Sequence, residues 1–395
     1  MNSPSAEHLG AQHLASAAQA FGAGDLDAAR LSLLEAVKLE PNNPEIHNGL
    51  SAVAYRQGDI GEAVKHIKAA ISNAPGHWGF WKQLIEMLMD RALHADAAHA
   101  CEQAAKHAGK NVELMNFWGV ALQSTGDHLQ ASEKLEEGTR LDKSNATVHR
   151  NLSLNLMKLE RLEECVEAFT RSTTPYSPSP TTGDGVEPGP NIPVVEANYA
   201  RLAGKYDANA LHVRMADRMY QLMIDTFGGE TDGGINILDC ACGTGLLGRK
   251  VRPLAKTLAG IDLSPDMIER AETSGNYDQL FVGDMAETMR GLPGKLDAKI
   301  EAKFDAIACN SAIYHVADLS PFFSAAAGLL SDGGYLFVST DPCDDAFDIR
   351  ETCANEYAHS RAYLRRLAEQ NGLSVISITV MEHRAYPGFW CVFQL

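Results

Sequence analysis

Three aspartates each close a short apolar run, and the order in which they do so is the first sign of chemistry in this chain. Asp239 ends a run that begins at Ile235, Asp262 follows residues 257–261, and Asp284 follows residues 280–282. Gly243 and Gly245 come just after Asp239, and a new apolar pattern opens at Leu246, the signature of a buried strand, a tight turn and a helix start. Glycine lets a turning backbone come close to a ligand, and exposed amides at a helix start favour an electron-rich or anionic group over the turn. A nucleotide-type cofactor suits that arrangement. Asp239 is placed for an amine, Asp262 for both ribose hydroxyls and Asp284 for an exocyclic amine, with Met285 against the ring face.

Gly243, Gly245 and Gly248 also satisfy the dinucleotide spacing G-x-G-x-x-G, and Asp262 follows at a distance suited to a ribose contact. Asp239 argues against that choice, because a carboxylate beside the turn repels a pyrophosphate and attracts an ammonium. The chain here resembles the class I S-adenosylmethionine-dependent methyltransferases over about residues 196–395. The resemblance rests on Asp239-Cys-Ala-Cys-Gly-Thr-Gly245, Gly260-Ile-Asp-Leu-Ser264, Gly283-Asp-Met285, and the later runs 304–312 and 330–338. It implies S-adenosylmethionine as cofactor and S-adenosylhomocysteine as product. It also implies that Ala241, Gly243, Gly245, Leu263 and Asn310 border the cofactor together with the three aspartates. Ala241 departs from the family's usual first glycine, and a tighter fit is expected there. Residues 198–207 are similar to a leading segment in which aromatic rings cover the cofactor. On that resemblance Tyr199 and Tyr206 close over the sulfonium, whose charge ring faces attract, and Arg214 is the nearest cation for the methionine carboxylate. Helix packing for the tyrosines and a solvated face for Arg214 are the alternatives.

Methyl transfer is an in-line displacement, so the protein has mainly to hold the acceptor close and dry. The acceptor is expected beyond the fourth and fifth strands. Asn310, Ser311, Tyr314 and His315 follow the fourth; Asp345, Arg350, Tyr357 and His359 follow the fifth. A hydroxyl or ammonium acceptor needs a base, and imidazole protonates near neutrality. His315 is the first choice and His359 the second, against a plain backbone hydrogen bond for His315. No metal is expected, since Cys240, Cys242 and Cys309 lack paired spacing with histidines and read as small core residues.

Apolar runs at 235–240, 258–263, 280–282, 304–310 and 335–340 alternate with helical patterns, which demands a parallel sheet covered on both faces. Two runs at 373–381 and 388–393 follow one another with only a short connection, predicting a C-terminal antiparallel hairpin. The polar, Lys-containing stretch 286–303 reads as a surface helix or loop. Cofactor and acceptor residues therefore fall on loops at one edge of an α/β Rossmann-like domain.

The first 172 residues repeat every 34. Ala29, Ala63, Ala97, Ala131 and Cys165 share one slot; Gly24, Gly58, Ala92, Gly126 and Glu160 share another; Leu33, Ile67, Cys101, Leu135 and Phe169 a third. Small residues let paired helices approach, and a glycine lets the chain turn between them. This resembles tetratricopeptide (TPR) repeats in about five copies, an α-helical superhelix with one concave side. His47, Trp81, Met115 and His149 share a slot that faces the groove or else packs internally. Residues 173–192, rich in Pro, Ser, Thr and Gly, read as a linker, leaving 193–395 for the catalytic domain.

Fifty-one acidic against 34 basic residues give a net charge of −17, which opposes nucleic acid and anionic membrane surfaces. Eight scattered cysteines do not form a disulfide framework and point to a reducing compartment. The start of the chain lacks a basic head and apolar core, so a soluble, cytoplasmic protein is expected. The functional expectation is methyl transfer to oxygen or nitrogen of a small-molecule or carrier-held acceptor. The array would then hold a protein or peptide, or form a homodimer. Two alternatives stay open: a protein methyltransferase whose repeats recruit its substrate, and a repeat scaffold with a non-catalytic cofactor domain.

Overall fold

A computed structural model describes residues 6–175, 192–229, 234–298, 300, 302–353 and 356–395. The chain divides into two compact units, Met1–Asn155 and Leu156–Leu395.

The first unit runs through α1 (Ala6–Gly22), α2 (Leu26–Leu39), α3 (Pro44–Arg56), α4 (Ile60–Asn73), α5 (Trp78–Asp90), α6 (His94–His107), α7 (Val112–Thr125), α8 (His128–Leu141) and most of α9 (Ala146–Lys158). The 34-residue slots explain its regularity. Ala29, Ala63, Ala97 and Ala131 are fully buried where neighbouring helices meet. Asp25, Asp59 and Asp127 cap the second helix of their repeats by accepting from the amides of Ala28, Glu62 and Gln130. Every member of the glycine slot is left-handed, with φ of 82° at Gly24, 83° at Gly58, 55° at Ala92, 87° at Gly126 and 58° at Glu160. Alanine and glutamate are strained there, so Ala92→Gly is expected to raise stability by about 0.5–1 kcal/mol, read as a later denaturant midpoint at unchanged slope. Of the two readings of the slot shared by His47, Trp81, Met115 and His149, packing onto the array's own loops fits the structure. Trp81 Nε1 donates to the Pro75 carbonyl at 2.8 Å, and His47 and His149 ring nitrogens meet the carbonyls of Pro41 and Lys143 at 2.9 and 3.0 Å. Each ring closes the loop six residues before it, and Met115 is fully buried.

The second unit begins inside the last repeat. Its α10 (Leu162–Arg171), which the repeat period assigns to the array, packs here: Val166 joins a core with Phe389 and Cys391, and Phe169 lies against Tyr386 at 6.0 Å between rings. β1 (Thr174–Pro175) follows, and the rest of the expected linker, 176–191, lies outside the described residues. Then come α11 (Ile192–Leu202), α12 (Ala210–Phe227), β2 (Ile235–Cys240), α13 (Leu246–Val251), β3 (Ala255–Asp262), α14 (Pro265–Ser274), β4 (Gln279–Val282), α15 (Met285–Gly291), β5 (Phe304–Cys309), α16 (Ser320–Leu329), β6 (Leu330–Cys343), β7 (Ile349–Cys353), β8 (Glu356–Ser360), α17 (Arg361–Gln370), β9 (Ser374–His383) and β10 (Tyr386–Gln394).

Parallel strands stand in the order β4-β3-β2-β5-β6, and β10 pairs antiparallel with both β6 and β9. Successive residues of β2 serve opposite faces: Leu238 enters a core with Met289 and Phe323, while Ile237 meets Met219 and Met223 of α12. The stretch read as a surface helix or loop is α15 and a largely exposed connection after it, anchored by Ala286, Met289, Leu292 and Ile300 in the first of these cores. The seven cysteines described are free and buried. Among the described residues no helix is long and apolar enough to cross a membrane, and no cluster of metal-ligating side chains occurs.

Candidate functional site

At the carboxyl edge of the parallel strands lie two adjoining cavities of about 730 and 600 Å³, sharing Tyr199, Tyr206, Ala241, Gly243, Asn310 and Ser311 on their walls. The larger is lined further by Asp262, Leu263, Asp284, Met285 and His315, the smaller by Asp239, His212, Tyr314 and Arg384. Each of the three aspartates therefore borders one or other of two cavities that share walls.

Ala241 is left-handed at φ 57°, which explains why a glycine is usual there and why alanine carries strain, not merely a tighter fit. Asp262 scaffolds the turn: its oxygens accept from the amides of Gly243 at 2.8 Å and Ser264 at 2.9 Å, and burial pushes its carboxyl up while these amides oppose the shift. Gly243's amide is thus already engaged by protein. Asp284 caps α15 through the Glu287 amide at 2.9 Å. Asp239 is 1% exposed, accepts from the Tyr277 hydroxyl at 2.7 Å, and is pushed by burial up to about 7.

The leading segment closes over these groups. Tyr199's hydroxyl lies 3.0 Å from His315 Nε2 and 3.3 Å from the Tyr314 hydroxyl, while Tyr206 stacks on His212 at 3.8 Å. Asp207 ties the segment to the glycine turn, accepting from the Thr244 hydroxyl and from Arg249 at 2.5 Å.

Several expected residues lie elsewhere. Arg214 is on the outer face of α12, its side chain 59% exposed and 3.6 Å from Glu382. His359 is fully buried, with Nδ1 2.8 Å from the Thr340 hydroxyl and Nε2 3.0 Å from the Ala317 carbonyl, and burial lowers it to about 4. A ring engaged at both nitrogens cannot reach an acceptor. Arg350 donates to the hydroxyl and carbonyl of Thr173, and Asp345 accepts from the Ala362 amide. Tyr357 sits on β8 opposite Glu351, outside the residues lining either cavity. For Asp345, Arg350, Tyr357 and His359 the reason is that β6 continues to Cys343 and β7–β8 form a hairpin where the alternation had suggested loops. Gly245 is buried against Tyr277, 3.0 Å from its ring to where a Cβ would stand, and lines neither cavity.

Three residues of the site carried no sequence signal that was used. Tyr277 stands alone in a loop. His212 is one ring in a helical pattern. Arg384 occupies the two-residue turn between β9 and β10 at φ 57°, held by Asp341 at 2.7 Å and Glu356 at 3.1 Å with its guanidinium 3.7 Å over the Tyr314 ring.

A family model described as a methyltransferase domain matches residues 212–378, and a tetratricopeptide-repeat model matches 14–77 and 53–113. An uncharacterized methyltransferase of Schizosaccharomyces pombe is 30% identical over 138 residues, 34% of this chain and 47% of that one. The mitochondrial ubiquinone biosynthesis O-methyltransferase of Mus musculus is 25% identical over 207 residues, 49% of this chain and 56% of that one. Magnesium protoporphyrin IX methyltransferase from Synechocystis PCC 6803, solved with bound S-adenosylmethionine, aligns with TM-score 0.41 at 16% identity, over 54% of this chain and 99% of that one. The chain spans about half the length of these two sequence relatives. The chain thus carries tetratricopeptide repeats ahead of a methyltransferase domain, and its sequence relatives are methyltransferases.

Proposed function

We propose that this chain transfers a methyl group from S-adenosylmethionine to an oxygen or nitrogen of a small or carrier-held acceptor. One observation carries the reading: Asp239, Asp262 and Asp284, from the ends of three neighbouring strands, border two cavities that share Tyr199 and Tyr206 as walls. When bound, the cofactor supplies an electrophilic sulfonium methyl. Asp239 holds its ammonium, Asp262 its ribose and Asp284 the amine of its base, with Leu263 and Met285 flanking the ring. Tyr199 and Tyr206 exclude water. His315, through its Nε2 beside the Tyr199 hydroxyl, takes the proton that a hydroxyl acceptor releases. The O-methyltransferase relatives favour oxygen as the acceptor atom. The repeats we assign to recognition of a protein, a peptide or the acceptor's carrier.

Incubating the full chain with isotopically labelled cofactor and metabolite extract, then locating the label by mass spectrometry, tests the reading. Label on a small molecule supports it; label on polypeptides alone favours the recruitment alternative, and no transfer favours the scaffold. Asp262→Ala is expected to weaken S-adenosylhomocysteine by about 1–3 kcal/mol, since it removes a charged acceptor that also supports the turn. Unchanged affinity by calorimetry would contradict the ribose assignment.

A further inference from the structure

The glycines of the cofactor turn do not all serve the cofactor. A Cβ on Gly245 would stand 3.0 Å from the Tyr277 ring and one on Gly260 2.9 Å from it; one on Gly248 would collide with the Tyr277 hydroxyl and ring carbons. Three glycines from the turn, the following helix and β3 thus empty a slot, and an aromatic ring from the loop before β4 fills it. The ring brings one polar atom to the end of β2. Its hydroxyl lies 2.7 Å from Asp239 Oδ2. An ionised carboxylate can only accept, so the phenol is the donor of the pair. No other hydrogen bond among the described residues reaches this carboxylate, so Tyr277 orients it by holding Oδ2, and Asp239 lines the smaller cavity.

We infer that Tyr277 is a positioning residue for the cofactor: it fixes Asp239 in the orientation and charge state that receives the methionine ammonium. The inference rests on the methyltransferase reading above and assigns a role to a residue outside the motif. The groups facing Asp239 are few. Asp262 at the end of β3 repels its charge, the thiols of Cys240, Cys242 and Cys309 surround it, and His212, Tyr206 and Arg384 stand around the same cavity. Tyr277 is the group among them that favours the ionised carboxylate by a hydrogen bond.

The test compares two ligands on the full chain: S-adenosylhomocysteine, and 5′-deoxy-5′-methylthioadenosine, which has the nucleoside and sulfur but no amino-acid arm. Tyr277→Phe keeps the ring and removes the hydroxyl. It is expected to weaken S-adenosylhomocysteine about tenfold at pH 7, to leave methylthioadenosine within about twofold, and to move the pH midpoint of S-adenosylhomocysteine binding upward. On an Asp239→Asn background, which keeps an acceptor for Tyr277, the same change should cost nothing further. Equal weakening of both ligands makes the ring a packing element and overturns the assignment, as does no change in either. A wild-type chain that binds neither ligand overturns the cofactor reading itself, and this role with it. If Tyr277→Phe proves unstable, Asp239→Asn alone decides: it must abolish the preference for S-adenosylhomocysteine over methylthioadenosine.

Discussion

His315→Ala is expected to lower turnover by about 10²- to 10⁴-fold, the range for loss of a positioned general base, with S-adenosylhomocysteine affinity held within a few-fold. The expectation comes from where the ring sits. His315 follows β5 in a short turn, lines the larger cavity, and meets the Tyr199 hydroxyl at 3.0 Å, while Tyr199 reaches Tyr314 on its other side at 3.3 Å. A proton leaving the acceptor has a hydroxyl and an imidazole within one hydrogen bond of each other. Tyr199→Phe should give a smaller loss, because it removes the bridge and keeps the base. With an acceptor found by label transfer, single-turnover rates and calorimetry separate the two effects. Equal loss of rate and cofactor affinity would make His315 a structural residue, and an unchanged rate would show that the acceptor ionises unaided.

Cofactor binding should also depend on pH with a set sign. Burial raises the Asp239 carboxyl to about 7, so the free protein holds a proton there below that pH. An ammonium needs the ionised form, and the proton must leave before the ligand binds. Affinity for S-adenosylhomocysteine is therefore expected to be level above pH 7 and to fall about tenfold per unit below it, about a hundredfold by pH 5. Calorimetry in buffers of different ionisation enthalpy should record proton release on binding at pH 6. The linkage to stability runs the other way. A raised carboxyl pKa stabilises the ligand-free fold at pH values below the ordinary carboxylate range, and that contribution is lost as pH rises through about 7. Asp239→Asn should flatten both profiles; a profile that keeps its slope in that variant would place the titrating group elsewhere.

Much of this was legible in the sequence because it is local. A glycine turn after an apolar run, a carboxylate capping each of three strands and a 34-residue period are all patterns within a few dozen residues. The slot Ala29, Ala63, Ala97, Ala131 and Cys165 is buried in all five members. What failed depended on direction or on distance. Arg214 and His359 have plausible side chains at plausible positions, but one faces solvent from α12 and the other faces inward from β8. Helical and extended periods tell which residues share a face, not which face meets the cavity. The slot of His47, Trp81 and His149 stayed open between groove and packing for a related reason; these rings turn back onto their own loops. Tyr277 and Asp239 are 38 residues apart and meet only because β3 and β4 stack beside β2. Arg384 reaches Asp341 across 43 residues by the return of the terminal hairpin.

The slot that Tyr277 occupies has a consequence for how such chains diversify. A side chain at position 248 and a phenol at position 277 exclude each other, so relatives should exchange them together: glycine with tyrosine, or a bulkier residue with a small partner. Covariation between these two columns, independent of the acceptor methylated, is the evolutionary footprint that such mutual exclusion would leave.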